Sequence, residues 1–220
     1  MVRIDPGWVL DNLDLIGSLL LEHLYLTGLA VGIGLVLSFG IALVVRRLPI
    51  AYGPVLGVTG TLYSIPSLAL FALLTPITGI GSVLTAEIAL VGYTLLILVR
   101  NIVEGLRGVP ADAIEAATGM GYTQTQRLIR VELPLAVPVI MAGVRIATVT
   151  TIGLVTVTAL IGLGGLGYLI VTIGINRGSF GATATLTGIV LAVGIAVIAD
   201  LLLQALQRWL TPWARRRATA

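Results

Sequence analysis

The chain has 220 residues, 57% of them hydrophobic and only 10% charged, with a mean hydropathy of +1.08. Soluble domains carry about 25% charged residues, so a soluble fold would lack the polar surface to cover this much apolar chain. There is no cysteine, and all 13 basic residues are arginine. Disulfides and thiol chemistry are excluded, as is the lysine that a phosphate-gripping nucleotide loop requires. The single histidine, His23, cannot build a histidine-cluster metal site. The net charge of +3 and pI near 9.7 do not indicate nucleic acid, because the arginines sit at the ends of apolar runs rather than on a basic face.

About 20 apolar residues are needed to cross the hydrocarbon core as a helix. Residues 1–22 carry Trp8, Leu10, Leu13, Ile16 and Leu20 at amphipathic spacing. Two readings fit this extracytoplasmic segment: a helix lying along the outer interface and a weakly ordered terminus. Its acidic start (Asp5, Asp11, Asp14) and the long first apolar run predict no cleavable signal. The first span is expected over 24–45, stopped by Arg46 and Arg47. A second is expected near 53–74, with a turn at Thr75–Pro76, and a third over 82–99, stopped by Arg100. A fourth is expected over 135–161 and a fifth over 182–206.

With five spans and the N-terminus outside, ten arginines fall on the cytoplasmic side: 46, 47, 100, 107, 127, 130, 208, 215, 216 and 217. Only Arg3 and Arg177 fall outside. Cytoplasmic flanks collect positive charge, so the C-terminus and residues 100–132 are expected in the cytoplasm.

Within 108–134, Pro110 and Asp112 suit a helix start, and Ile114, Ala117 and Met120 recur at helical spacing. Gly119 and Gly121 break that helix, and Thr123 with Gln126 forms a capping box for a second one. The expectation is a helix–turn–helix with a small, alanine-rich tip and an exposed carboxylate at Glu115. From the residues alone, a docking element and an ordinary connecting loop both fit.

Several positions inside the spans carry polar groups. Ser64, Pro66 and Ser67 place a kink in span two, which fits either a pathway lining or a packing kink. Thr148, Thr150, Thr151, Thr156 and Thr158 could line a polar path or bond back to the preceding helical turn. Thr151 joins Ser64, Pro66 and Ser67 as a candidate pathway residue. Glu87 and Arg145 are charges within spans, and such groups face a bundle interior or water. For Arg145 a backbone carbonyl or an acid such as Glu87 is the expected partner. Gly28, Gly32 and Gly34 allow close helix approach. Gly162 to Gly167 fits a dinucleotide fingerprint in letters only, since no strand precedes it; irregular backbone at the outer end of span four is expected instead.

The residues Glu115-Ala116-Ala117, then Gly121, then Val131, Leu133 and Pro134 resemble the EAA loop of bacterial ABC importer permeases at every spacing. Across about residues 20–208, Glu22-His23-Leu24-Tyr25-Leu26, Tyr63 to Leu70, Arg100-Asn101, Arg145 to Thr148 and Ala159 to Gly167 resemble the osmoprotectant permeases of that class. Glu87 departs from the aliphatic residue expected there.

The resemblance implies an all-α integral membrane protein of five transmembrane helices with the small type I importer fold, forming one permease domain over 1–220. It implies a bacterial plasma (inner) membrane location, no catalysis and no cofactor. Its implied partners are ATP-binding cassette ATPase subunits, an extracytoplasmic solute-binding protein and a second permease copy or paralogue. Glu115, Ala116, Ala117 and Gly121 become the implied ATPase-coupling residues. The implied cargo is glycine betaine, choline or carnitine. Alternatives are a permease for an amino acid such as methionine, or an ion-coupled carrier using Glu87, Arg145 and Asp200. An intramembrane enzyme has too few catalytic groups to stand beside these.

Overall fold

In hydrocarbon every backbone N–H and C=O must bond within the protein, so apolar runs of this length become helices. The computed structural model describes residues 4–175 and 180–215. Arg3, Arg177, Arg216 and Arg217, counted above for orientation, lie outside the described residues. All regular structure among those described is helical.

The short helix α1 (Pro6–Asp11) is capped by the Asp5 side chain, which accepts from the Gly7 N–H. One residue later α2 (Leu13–Arg47) begins and runs 35 residues without a break. Residues 13–22 therefore extend the first span rather than forming part of a separate interfacial helix. Nothing between Leu13 and Glu22 interrupts the helix, and Ile16 and Leu19 are held in a core cluster with Leu166, Leu169 and Ile173.

The helices α3 (Tyr52–Ser64) and α4 (Ser67–Thr78) meet at 94°. The kink expected at Pro66 is thus a full break. α4 continues through Pro76 to Thr78, so the turn expected at Thr75–Pro76 lies further on. Pro76 falls in the last helical turn, where it forfeits one backbone bond, and Gly79 at φ 95° makes the reversal.

The Ser82 side chain caps α5 (Val83–Arg107), which runs past Arg100 to end at Gly108. Then come α6 (Ala111–Gly119) and α7 (Gln124–Arg127). A π-helical turn, Leu128–Glu132, joins α7 to α8 (Leu133–Val155), and a 3-10 turn, Thr156–Ile161, ends this 38-residue rod. α9 (Leu166–Tyr168) leads into a second π-helical stretch, Leu169–Ile175. The last elements are α10 (Gly181–Leu210) and α11 (Pro212–Arg215). Among the described residues four helices are long and apolar enough to cross a membrane, or five spans if the bent α3–α4 pair counts as one.

α5 is the central post, flanked by α2 and α8, with α3 and α4 folded over it. More than half of its most apolar window, 56%, is buried within the chain, against 11% for α10. α10 therefore lies at the edge, packed on α8. Of the three glycines expected to admit a neighbour, Gly34 does so: a Cβ there would run into the Thr94 hydroxyl of α5. Gly28 and Gly32 have open space around them and line an outer groove with Ile33 and Val36.

Candidate functional site

The loop between α5 and α8 folds as its turn chemistry indicates. Pro110 ends up as the N-cap of α6, and Asp112 lies in the first turn, where a negative charge opposes the positive helix end. Gly121 takes φ 81°, a left-handed value that favours glycine, and reverses the chain. Thr123 and Gln126 complete the capping box: the Thr123 N–H donates to Gln126 Oε1 at 2.9 Å, and the Gln126 N–H to Thr123 Oγ1 at 3.3 Å.

The four residues singled out in this loop do not share one environment. Glu115, Ala116 and Gly121 are exposed, whereas Ala117 is buried at 1% exposure. The tip also carries Met120 at 67% exposure, a large apolar side chain with no cover within the chain. An exposed thioether beside small residues is a surface suited to a protein partner.

Behind the tip is a charge cluster that spacing alone did not reveal. Glu132 is buried, at 4% exposure, and its Oε1 accepts from Arg46 Nη2 at 2.8 Å and Arg127 Nε at 2.9 Å. Arg127 Nη1 also donates to Thr118 Oγ1 at 3.1 Å. A signal existed: Glu132 is an acid directly before a span, in a strongly basic flank, and between Val131 and Leu133. Nearby, Tyr52 donates to Glu104 at 2.6 Å while the Arg107 guanidinium lies 4.1 Å over the Tyr52 ring. That joins the start of α3 to the end of α5.

At the broken span, the Tyr93 hydroxyl of α5 donates to the Ile65 carbonyl at 2.6 Å. The Ile65 carbonyl, left without a helical partner where α3 ends, is thus satisfied from a neighbouring helix. Ser64 bonds back to Thr61 O at 2.8 Å, and both Ser64 and Pro66 are exposed while Ser67 is half-buried. Thr151 is 1% exposed and turned into the protein. Thr148, Thr156 and Thr158 each bond back to the preceding turn, at 2.7 to 2.8 Å.

The glycine-rich turn after α8 is clasped by the start of α2. The N–H groups of Gly164 and Gly165 donate to the Glu22 carboxylate at 3.3 and 3.1 Å. The Leu166 N–H donates to His23 Nδ1 at 3.2 Å, and His23 Nε2–H donates to Ile152 O at 3.0 Å. Those partners fix the neutral tautomer with its proton on Nε2. Glu22 and His23 thus have a structural role, which their place in a sequence resemblance did not reveal.

Arg145 pairs with Asp200 of α10, not with Glu87 or a backbone carbonyl. Glu87 is 6% exposed, and among the described residues neither of its carboxylate oxygens has a hydrogen-bond partner. No cluster of metal-ligating side chains occurs among the described residues.

The sequence matches the family described as binding-protein-dependent transport system inner membrane component over residues 30–216. It is 39% identical over 210 residues to the osmoprotectant import permease protein OsmW of Salmonella typhimurium, covering 93% of this chain and 96% of that one. It is 34% identical over 197 residues to the choline transport system permease protein OpuBB of Bacillus subtilis, covering 89% and 88%. The fold is similar to that of a chain from inward-facing structures of the MetNI methionine ABC transporter, with TM-score 0.77 and 26% identity over 90% of this chain and 97% of that one.

Proposed function

The chain belongs to the family of binding-protein-dependent transport system inner membrane components, and we propose on that premise that it carries a quaternary-ammonium osmoprotectant such as glycine betaine, choline or carnitine. It is a permease subunit of an ATP-binding cassette importer in the bacterial inner membrane, a transport subunit and not an enzyme. Permeases of this family work with ATPase subunits and solute-binding proteins.

In our reading the N-terminus lies outside, the C-terminus lies in the cytoplasm, and the bent α3–α4 pair counts as one of five spans. Residues 1–220 act as one transmembrane domain, with the segment 1–22 at the extracytoplasmic side. Charge supports the orientation. The Arg46–Glu132 contact brings the end of α2 to the loop of α6 and α7. Arg46, Arg47, Arg107, Arg127 and Arg130 therefore gather at one end of the bundle, and positive charge marks a cytoplasmic face.

The observation that carries the coupling role is the 108–134 loop itself: α6 tied to α7 through Thr118 and Arg127, α7 started by its own capping box, and Glu115, Ala116 and Met120 presented outward. Gly121 sets the turn and Ala117 packs behind the tip. An ATPase subunit docks there, a solute-binding protein docks at the opposite end, and a second permease copy or paralogue completes the path. Ser64, Pro66 and Ser67 at the break are the best-placed pathway residues. Aromatics are only 5% of the chain, which favours a cation cage on the binding protein rather than here.

Uptake by the reconstituted importer is the test. Loss of uptake on ATP depletion at a constant proton gradient is expected. Uptake that persists without ATP and follows the proton gradient would replace this reading with an ion-coupled carrier.

A further inference from the structure

The coupling loop is covalently continuous with α5 and α8 only. Among the described residues the polar link from α2 to it is one buried carboxylate, 86 positions away in sequence from its α2 partner. Arg46, in the last turn of α2, donates to Glu132 Oε1; Arg127 of α7 donates to the same oxygen; and Arg127 also donates to Thr118 of α6. One chain of charge-assisted bonds thus runs from the first loop helix to α2.

The π-helical turn makes this geometry. Residues five apart in an α-helix point to different sides, so Arg127 and Glu132 would diverge. The wider turn over Leu128–Glu132 brings both to one side, and π-helical turns of this kind occur disproportionately at functional sites. Direct packing beside the bridge is partial: the core that receives Leu128 and Leu133 includes Ala42 and Val45 of α2. Leu128 and Leu133 lean on the core, but an open cleft of about 750 Å³ runs between Leu43, Arg46 and Arg47 on one wall and Gln124, Arg127 and Ile129 on the other. Charge-assisted bonds are short and directional, and a carboxylate at 5% side-chain exposure is poorly screened by salt.

We propose that Glu132 is a positioning residue of the transport cycle: the joint that makes α2 move with the coupling loop, through Arg46. This rests on the reading that an ATPase subunit docks on the loop. The loop's motion would then act on three spans, of which α2 is the one not joined to it by the chain.

The absence of native cysteine makes the test direct. Spin labels at Leu43→Cys and Ile129→Cys, both exposed, bracket the cleft. The assembled transporter is measured before and after trapping with ATP and vanadate, once copurification of the ATPase subunit is established. In the otherwise native chain the distance distribution across the cleft should be the same in both states. In Glu132→Gln, and independently in Arg46→Ala, which leaves the Glu132–Arg127 bond intact, it should match the parent before trapping and separate from it only after. Arg46→Lys should restore the parent behaviour. A distance that changes on trapping in the parent, variants that follow the parent throughout, or variants already broadened before trapping would each overturn the proposal. Failure of the ATPase subunit to copurify with the parent would instead remove the docking reading beneath it.

Discussion

Arg145 grips Asp200 through two parallel hydrogen bonds, Nε to Oδ1 at 2.7 Å and Nη2 to Oδ2 at 2.9 Å, joining α8 to α10. Arg145 is the thirteenth residue of a 23-residue helix, so the pair sits deep in the span. Both side chains are partly open, at 27% and 34% exposure. A carrier would need one of these groups free to load an ion; here each is engaged by the other. Arg145→Ala or Asp200→Ala should each lower the melting temperature of the purified transporter, because the remaining charge is stranded among apolar neighbours. The double change Arg145→Met with Asp200→Leu should recover most of that loss. Arg145→Lys should not, since it lacks the planar fork. Thermal unfolding in detergent reads all four.

The clasp of Glu22 on the glycine turn leaves no room for a side chain. A Cβ on Gly164 would collide with the Glu22 carboxylate, and Gly165 holds φ 70°. Gly164→Ala should therefore detach the turn from α2, and Gly165→Ala, at φ 70° and ψ −178°, should add roughly 1–3 kcal/mol of backbone strain. Limited proteolysis of the 162–166 turn in the intact transporter should speed up in both variants. An unchanged cleavage rate for Gly164→Ala would show that the clasp does not hold the turn.

At the break between α3 and α4, Tyr93→Phe removes the hydrogen bond to the Ile65 carbonyl and nothing else of comparable size. The cost should be about 0.5–1.5 kcal/mol, or more if no water replaces the hydroxyl. Hydrogen exchange at residues 62–70 should rise in this variant while exchange in α8 stays as it was.

Exposure separates two kinds of loop substitution. Met120→Arg changes an uncovered side chain, so it should leave the melting temperature unaltered yet abolish copurification of the ATPase subunit. Ala117→Trp inserts a large ring at a position 1% exposed, so it should lower the stability of the loop itself. Only the first is a clean probe of docking. Retained copurification with Met120→Arg would argue against the tip as the docking surface.

The spans were readable in the sequence because their signals are local. Runs of about 20 apolar residues end at arginines, and hydrocarbon leaves a helix as the only solution. The loop helices were readable for the same reason: Gly121 and the Thr123–Gln126 box act within a few residues of themselves. Pro66 announced a bend, but nothing local announced its 94° size or the Tyr93 hydroxyl that meets the Ile65 carbonyl there, 28 positions along the chain. The partner of Arg145 lies 55 positions along the chain, and those of Glu22 lie 142 and 143 away. Such pairs leave no local pattern.

The direct measurement of function is ATP hydrolysis by the chain reconstituted with its ATPase, its solute-binding protein and any paralogous permease, against glycine betaine, choline, carnitine and methionine. Stimulation by one or more of the quaternary amines, absent in Met120→Arg, is the expected result. Stimulation by methionine alone would contradict the osmoprotectant assignment, and hydrolysis indifferent to all four with the binding protein loaded would contradict coupled import of either class.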